Sequence, residues 1–151
     1  EIAILYPKAI PINNTTNVMF IGEMDTKGQL NLMDLVNNQQ KIVIYDKESP
    51  SQDSKLNNLV RVSSLERIKG ELFSIIYVDE ITMMTREIIE ISKEFLKEFG
   101  YLMVISSRSS KKKFNDSFTK LSENFQIVQE VNIENYFRDT SVLIFSNKKI
   151  S

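Results

Sequence analysis

The sequence predicts an α/β fold of the Rossmann-like kind: a mostly parallel sheet with helices on its faces, closed at the C-terminal end by an antiparallel hairpin. Three observations predict it. Short apolar runs alternate with segments of helical period along most of the chain, as in folds where a crossover helix follows each strand. Met84, Ile88, Ile91, Phe95 and Phe99 recur at steps of four, three, four and four, which marks one apolar face of a helix. The last two apolar runs are separated by Asn135-Tyr136-Phe137-Arg138-Asp139, too short for a crossover helix, so they are expected to pair antiparallel.

The elements follow in order. Val18-Met19-Phe20-Ile21-Gly22 reads as a buried first strand ending on glycine, and Glu23 to Gly28 as the loop after it. Leu30, Met33 and Val36, with Leu32 and Leu35 beside them, suit a helix packed on the sheet. Ile42-Val43-Ile44-Tyr45 is a second strand ending at Asp46. The polar stretch from Lys47 to Asn58 contains Ser49-Pro50-Ser51 and reads as a loop with at most one helical turn. Leu59-Val60-Arg61-Val62 is a short third strand near an edge, and Leu72 to Val78 a fourth, ending at Asp79-Glu80. The helix through Phe99 is expected to stop at Gly100. Tyr101 to Ile105 is a fifth strand; Phe114, Phe118, Leu121 and Phe125 mark a further helix. Phe125–Ile133 and Ser141–Phe145 form the terminal hairpin. No repeat or low-complexity linker interrupts this pattern, so residues 1–151 are expected to form a single domain.

Composition narrows the chemistry. With 42% hydrophobic and 26% charged residues in 151, the chain suits a water-soluble globular domain with a sizeable core. No apolar run approaches the roughly 20 residues needed to span a bilayer, so no membrane association is expected. Glu1 to Leu5 lacks the basic region of a secretory leader, which points to an intracellular protein, cytoplasmic or nuclear. The start at Glu1, not Met, is consistent with missing upstream residues. Cysteine and histidine are both absent. Disulfides, thiolate nucleophiles, Ser-His-Asp triads and histidine metal ligands are therefore excluded, and no metal site is expected from scattered carboxylates. The net charge of −1 provides no broad cationic field for nucleic acid, so any RNA contact would use a local patch. Arg108 with Lys111, Lys112 and Lys113 is the cationic cluster available for phosphate contacts; a solvated loop opening a helix would have the same composition.

The order and spacing of several segments resemble fibrillarin, the methyltransferase of box C/D RNA–protein particles. Ile10-Pro11-Ile12 followed by Asn17 to Gly22 is similar to the family's entry into its first strand. Gly100 to Ile105, then Arg108-Ser109, is similar to its fifth strand and following loop. Asn124 to Asp139 is similar to the segment before its last strand. The resemblance implies a class I methyltransferase fold, S-adenosylmethionine as cofactor, an RNA ribose 2′-hydroxyl as acceptor, and a scaffold protein of an RNA–protein particle as partner.

Carried over residue by residue, the resemblance is incomplete. Gly22 and Thr26 fall on the cofactor loop, but Thr26 replaces a family glycine, and Glu23, Met24 and Asp25 crowd a turn where small residues permit close approach. The same stretch is also an ordinary strand-to-helix turn with Asp25 or Thr26 as N-cap. Asp46 occupies the position from which an acid accepts bonds from ribose hydroxyls. Ser63-Ser64 stands where the resemblance implies an adenine-side acid, which Glu66 could supply only after a shift. Asp79 matches the family's catalytic aspartate; the lysine after strand five falls on Ser106 or Ser107, and the histidine on Thr140. A positioned acid–base group contributes roughly 10²–10⁴-fold in rate. A non-catalytic structural or binding subunit of an RNA–protein complex is therefore expected. The alternative is an active S-adenosylmethionine-dependent RNA 2′-O-methyltransferase in which Asp79 works with a lysine of the 111–113 run.

Overall fold

Uninterrupted apolar runs become the inner strands. β1 (Val18–Ile21) is buried throughout, and so are the first three residues of β2 (Ile42–Tyr45). Strands covered on both faces carry continuous apolar runs instead of alternation. The computed structural model describes residues 17–21, 42–46, 54–56, 59–79, 84–107, 111–134 and 139–147, which divide into two units, Glu1–Lys69 and Gly70–Ser151. The expected helix over Leu30–Val36 and the loop over Glu23–Gly28 lie outside the described residues.

In the first unit, β1 pairs parallel with β2, in register Val18↔Ile42 to Ile21↔Tyr45. β2 pairs parallel with β4 (Leu59–Val62), in register Ile42↔Leu59 to Tyr45↔Val62. The stretch read as a loop contains a strand: β3 (Ser54–Leu56) runs antiparallel on β4, with Leu56 opposite Leu59. Only Asn57-Asn58 separates the paired residues. β4 thus lies one strand in from the edge, close to where the sequence puts it. A 3₁₀ turn (Leu65–Ile68) follows, with Ile68 buried beneath it.

In the second unit, β5 (Phe73–Asp79) pairs parallel with β6 (Leu96–Ser107). α1 (Thr85–Phe95) makes the crossover between them and buries Ile88, Ile91, Ser92 and Phe95. α2 (Lys111–Asn124) leads into β7 (Gln126–Glu134), which forms an antiparallel hairpin with β8 (Asp139–Ser146). β8 is also antiparallel to β6, so the expected closing hairpin is present. Tyr77, Phe73, Phe95, Phe125 and Phe145 are the largest fully buried side chains of this unit. Phe73 meets Phe95 with ring centroids 6.5 Å apart, and Phe118 of α2 meets Phe145 of β8 at 6.3 Å. These tilted contacts are the favoured aromatic geometry and fasten each helix to its strand.

The α1 helix ends earlier than its periodicity suggests. Leu96 already pairs with Phe73, and the ladder resumes at Ile75↔Tyr101, so β5 advances two residues while β6 advances five. Sheet pairing wins over a further helical turn, and Phe99 lands outside the helix, 62% exposed with φ of 64°. Gly100 is therefore a crowded strand residue and does not cap α1. A Cβ there would lie 2.8 Å from Leu96 Cδ1 and 2.9 Å from the carbonyl oxygens of Lys97 and Ser74. Asn147 secures this irregular entry. Its Nδ2 donates to the carbonyls of Leu96 and Lys97, both at 3.1 Å, and its backbone N–H donates to the Gly100 carbonyl at 2.9 Å.

Candidate functional site

The register of β2 and β4 determines the surroundings of Asp46. Arg61 lies opposite Ile44, and Asp46, two residues beyond Ile44, shares that face of the sheet because side chains alternate along a strand. Arg61 Nη2 accordingly donates to Asp46 Oδ2 at 3.1 Å. The two side chains are 17% and 3% exposed. The Asp46 backbone N–H donates to the Val62 carbonyl at 3.0 Å, fixing the strand end that carries the carboxylate. Breaking a buried ion pair by deleting one partner costs about 3–5 kcal/mol, because the other charge is left uncompensated. Arg61 is incompletely satisfied: its Nε–H is buried with no hydrogen-bond partner among the described residues. A buried donor in that condition costs about 1–3 kcal/mol.

A ribose diol held by one carboxylate needs access to its oxygens. Asp46 has one oxygen engaged by Arg61 and almost no exposed side-chain surface, so in this arrangement it does not fit a ribose. The adenine-side position is also plain. Ser64 caps the 3₁₀ turn, its Oγ accepting from the Glu66 N–H at 3.3 Å, and Glu66 is exposed. Gly22, Thr26 and Arg108 lie outside the described residues.

The second unit gathers the other candidate positions at one end of its strands. Asp79 ends β5 opposite Ile105, and the next positions of β6 are Ser106 opposite Ser141 and Ser107 opposite Thr140. The three places where the resemblance implies aspartate, lysine and histidine thus come together on neighbouring strands, occupied by Asp79, Ser106 or Ser107, and Thr140. α2 begins at Lys111, shortly after β6 ends, with Lys112 and Lys113 exposed in its first turn. That turn holds no acidic residue. Cations at a helix N-terminus oppose the macrodipole, at about 0.3–1 kcal/mol each when exposed. Close by in the fold, Thr85 Oγ1 and Ser117 Oγ lie 2.9 Å apart and join the first turn of α1 to α2.

Arg61, Asn147 and the Thr85–Ser117 pair were not singled out by sequence reasoning. The available signal for Arg61 was a lone cation inside an apolar strand whose neighbour ends in an acid. Among the described residues no group of His, Cys, Asp or Glu is arranged to hold a metal, and no helix is long and apolar enough to cross a membrane.

No protein-family model matches the sequence, and no curated protein matches it. Solved structures do. The fibrillarin/Nop5p complex matches over 95% of this chain and 78% of that chain, at 19% identity and a TM-score of 0.69. The Methanococcus jannaschii fibrillarin pre-rRNA processing protein matches over 93% of this chain and 70% of that one, at 17% identity and a TM-score of 0.71. A methyltransferase from Pyrococcus furiosus matches over 97% and 81%, at 14% identity and a TM-score of 0.68. Identities this low speak to fold alone. Together with the parallel strands, the crossover helix and the closing hairpin, they show that this chain has a class I methyltransferase fold of the fibrillarin-like kind.

Proposed function

We propose that this protein is a non-catalytic methyltransferase-fold subunit of an RNA–protein complex, formed by residues 1–151 as one domain. The observation that carries the proposal is the row Asp79, Ser106, Ser107 and Thr140 at one end of β5, β6 and β8. Hydroxyl residues cannot supply the fixed positive charge that would accompany Asp79 in activating a 2′-hydroxyl. The lysines opening α2 are the proposed RNA contact, joined by Arg108. Their unfavourable position on the helix dipole is relieved when phosphates neutralise them. A protein partner is part of the proposal because one structural neighbour is a fibrillarin in complex with Nop5p.

Two measurements test the reading together. Incubation with radiolabelled S-adenosylmethionine and RNA is expected to transfer no label. Binding of the same RNA is expected to weaken when Lys111, Lys112 and Lys113 are replaced by Ala, with the salt dependence reduced by roughly 0.7–0.9 log units per lost phosphate contact. Label transfer abolished by Asp79→Ala would establish the active enzyme instead, with Asp79 and a lysine of the 111–113 run as its working pair.

A further inference from the structure

We propose that the opening of α2 takes single-stranded RNA in particular: a base stacks on Phe114 while the neighbouring lysines hold the phosphates of the same strand. The proposal rests on the RNA-contact reading above and names the kind of RNA that this surface selects. It begins with how burial changes along the helix. Phe114, Phe118, Leu121 and Phe125 form one apolar stripe along α2 and its exit, at steps of four, three and four. At the far end Leu121 and Phe125 are each 1% exposed. Phe118 and Phe114 are only half-buried, so the stripe leaves the core at the turn that carries the lysines.

The rings at that end form an ordered series. Phe145 of β8 is fully buried and meets Phe118 at 6.3 Å with 53° between the planes. Phe118 in turn stacks on Phe114 at 6.4 Å and 26°. Phe118 therefore takes one side of the Phe114 ring and holds it from the core outward. Phe114 is the last of the series and keeps part of its surface in solvent. A ring held in this way suits an unpaired base, because every base has a π-face and a ring already fixed loses little freedom on binding. The charge beside it suits the backbone of the same strand. Lys112 and Lys113 are exposed, and Asp116 is the one acid in residues 111–118. Lys113 is engaged within the folded chain and adds to the local field; Lys112, two residues from Phe114, is the cation set for a phosphate. Cations next to an aromatic platform are the combination by which single strands are held. A duplex keeps its bases stacked inside and offers such a surface only phosphates and sugar edges.

Oligouridylate, alone and annealed to oligoadenylate, is the probe. The duplex carries more phosphates, so a patch acting by charge alone favours it; the wild type is expected to prefer the single strand. The chain contains no tryptophan, so Phe114→Trp introduces a single indole. Its fluorescence is expected to be quenched as the single strand saturates and to change little with the duplex. Phe114→Leu keeps an apolar side chain against Phe118 and is expected to weaken single-strand binding about tenfold with the salt dependence unchanged. Lys112→Ala is expected to reduce that salt dependence. Circular dichroism identifies the folded variants, and if one Phe114 variant does not fold the other decides. A folded Phe114→Leu chain that binds the single strand as tightly as wild type would overturn the stacking site. An indole left unquenched by the single strand, or a wild-type preference for the duplex, would do the same. In each of those cases weaker binding by Lys112→Ala would leave the lysine contact standing. A wild type that binds neither form at low salt would remove the RNA reading and the stacking site together.

Discussion

Two acids end two parallel strands in this protein, and their neighbours differ. Asp46, at the end of β2, meets a cation brought by the adjacent strand β4. Asp79, at the end of β5, is followed on the adjacent strands by Ser106, Ser107, Thr140 and Ser141, none of which carries charge. The first acid faces a cation from the adjacent strand; the second ends its strand at a level where the adjacent strands carry hydroxyl residues. Ordered structure in the second unit is invested at the opposite end of the strands, where Asn147 and Gly100 hold the irregular entry to β6. On the proposed non-catalytic reading the two strand ends differ in kind: one acid faces an added cation, and the other ends among hydroxyl residues.

The largest effect is expected at the first acid. Arg61→Met should lower stability by about 3 kcal/mol by removing the cation that faces the buried Asp46 carboxylate. Adding Asp46→Asn should recover much of that loss in a double-mutant cycle read by urea unfolding. Additive losses would show that the two side chains do not work as a pair. Next comes the amino end of β6. Asn147→Ala removes two side-chain bonds to the Leu96 and Lys97 carbonyls and should cost about 1–2 kcal/mol. Phe99→Gly should have the opposite sign. Its φ of 64° is unfavourable for any residue with a Cβ, and its ring is largely in solvent, so glycine should raise stability by about 1 kcal/mol. A thermal midpoint that falls on this change would mean that the exposed ring is held by contacts in the folded chain. The smallest effect is expected at the second acid: Asp79→Asn should alter stability by less than about 0.5 kcal/mol. A loss comparable to that of Arg61→Met would erase the contrast between the two strand ends.

Much of this architecture was readable from the sequence, and what was not readable depends on register. β1, β2 and β5 announce themselves because strands buried on both faces need unbroken apolar runs. The closing hairpin follows from the brevity of Asn135–Asp139. The apolar face of α1 was visible as far as Phe95, but periodicity could not reveal that Leu96 would pair with Phe73 and end the helix one turn before Phe99. β3 was hidden because Ser54-Lys55-Leu56 has no pattern of its own and becomes a strand only by pairing on β4. The candidate site behaved in the same way. Asp46 and Asp79 are legible as acids at strand ends, whereas the reach of Arg61 to Asp46 exists only once β2 and β4 are aligned with Ile44 opposite Arg61.

Calorimetric titration of the full chain with S-adenosylmethionine tests most directly the central claim, that the methyltransferase fold persists here without its cofactor site. No saturable heat is expected up to millimolar cofactor. Stoichiometric binding near micromolar would contradict the claim and restore the enzyme.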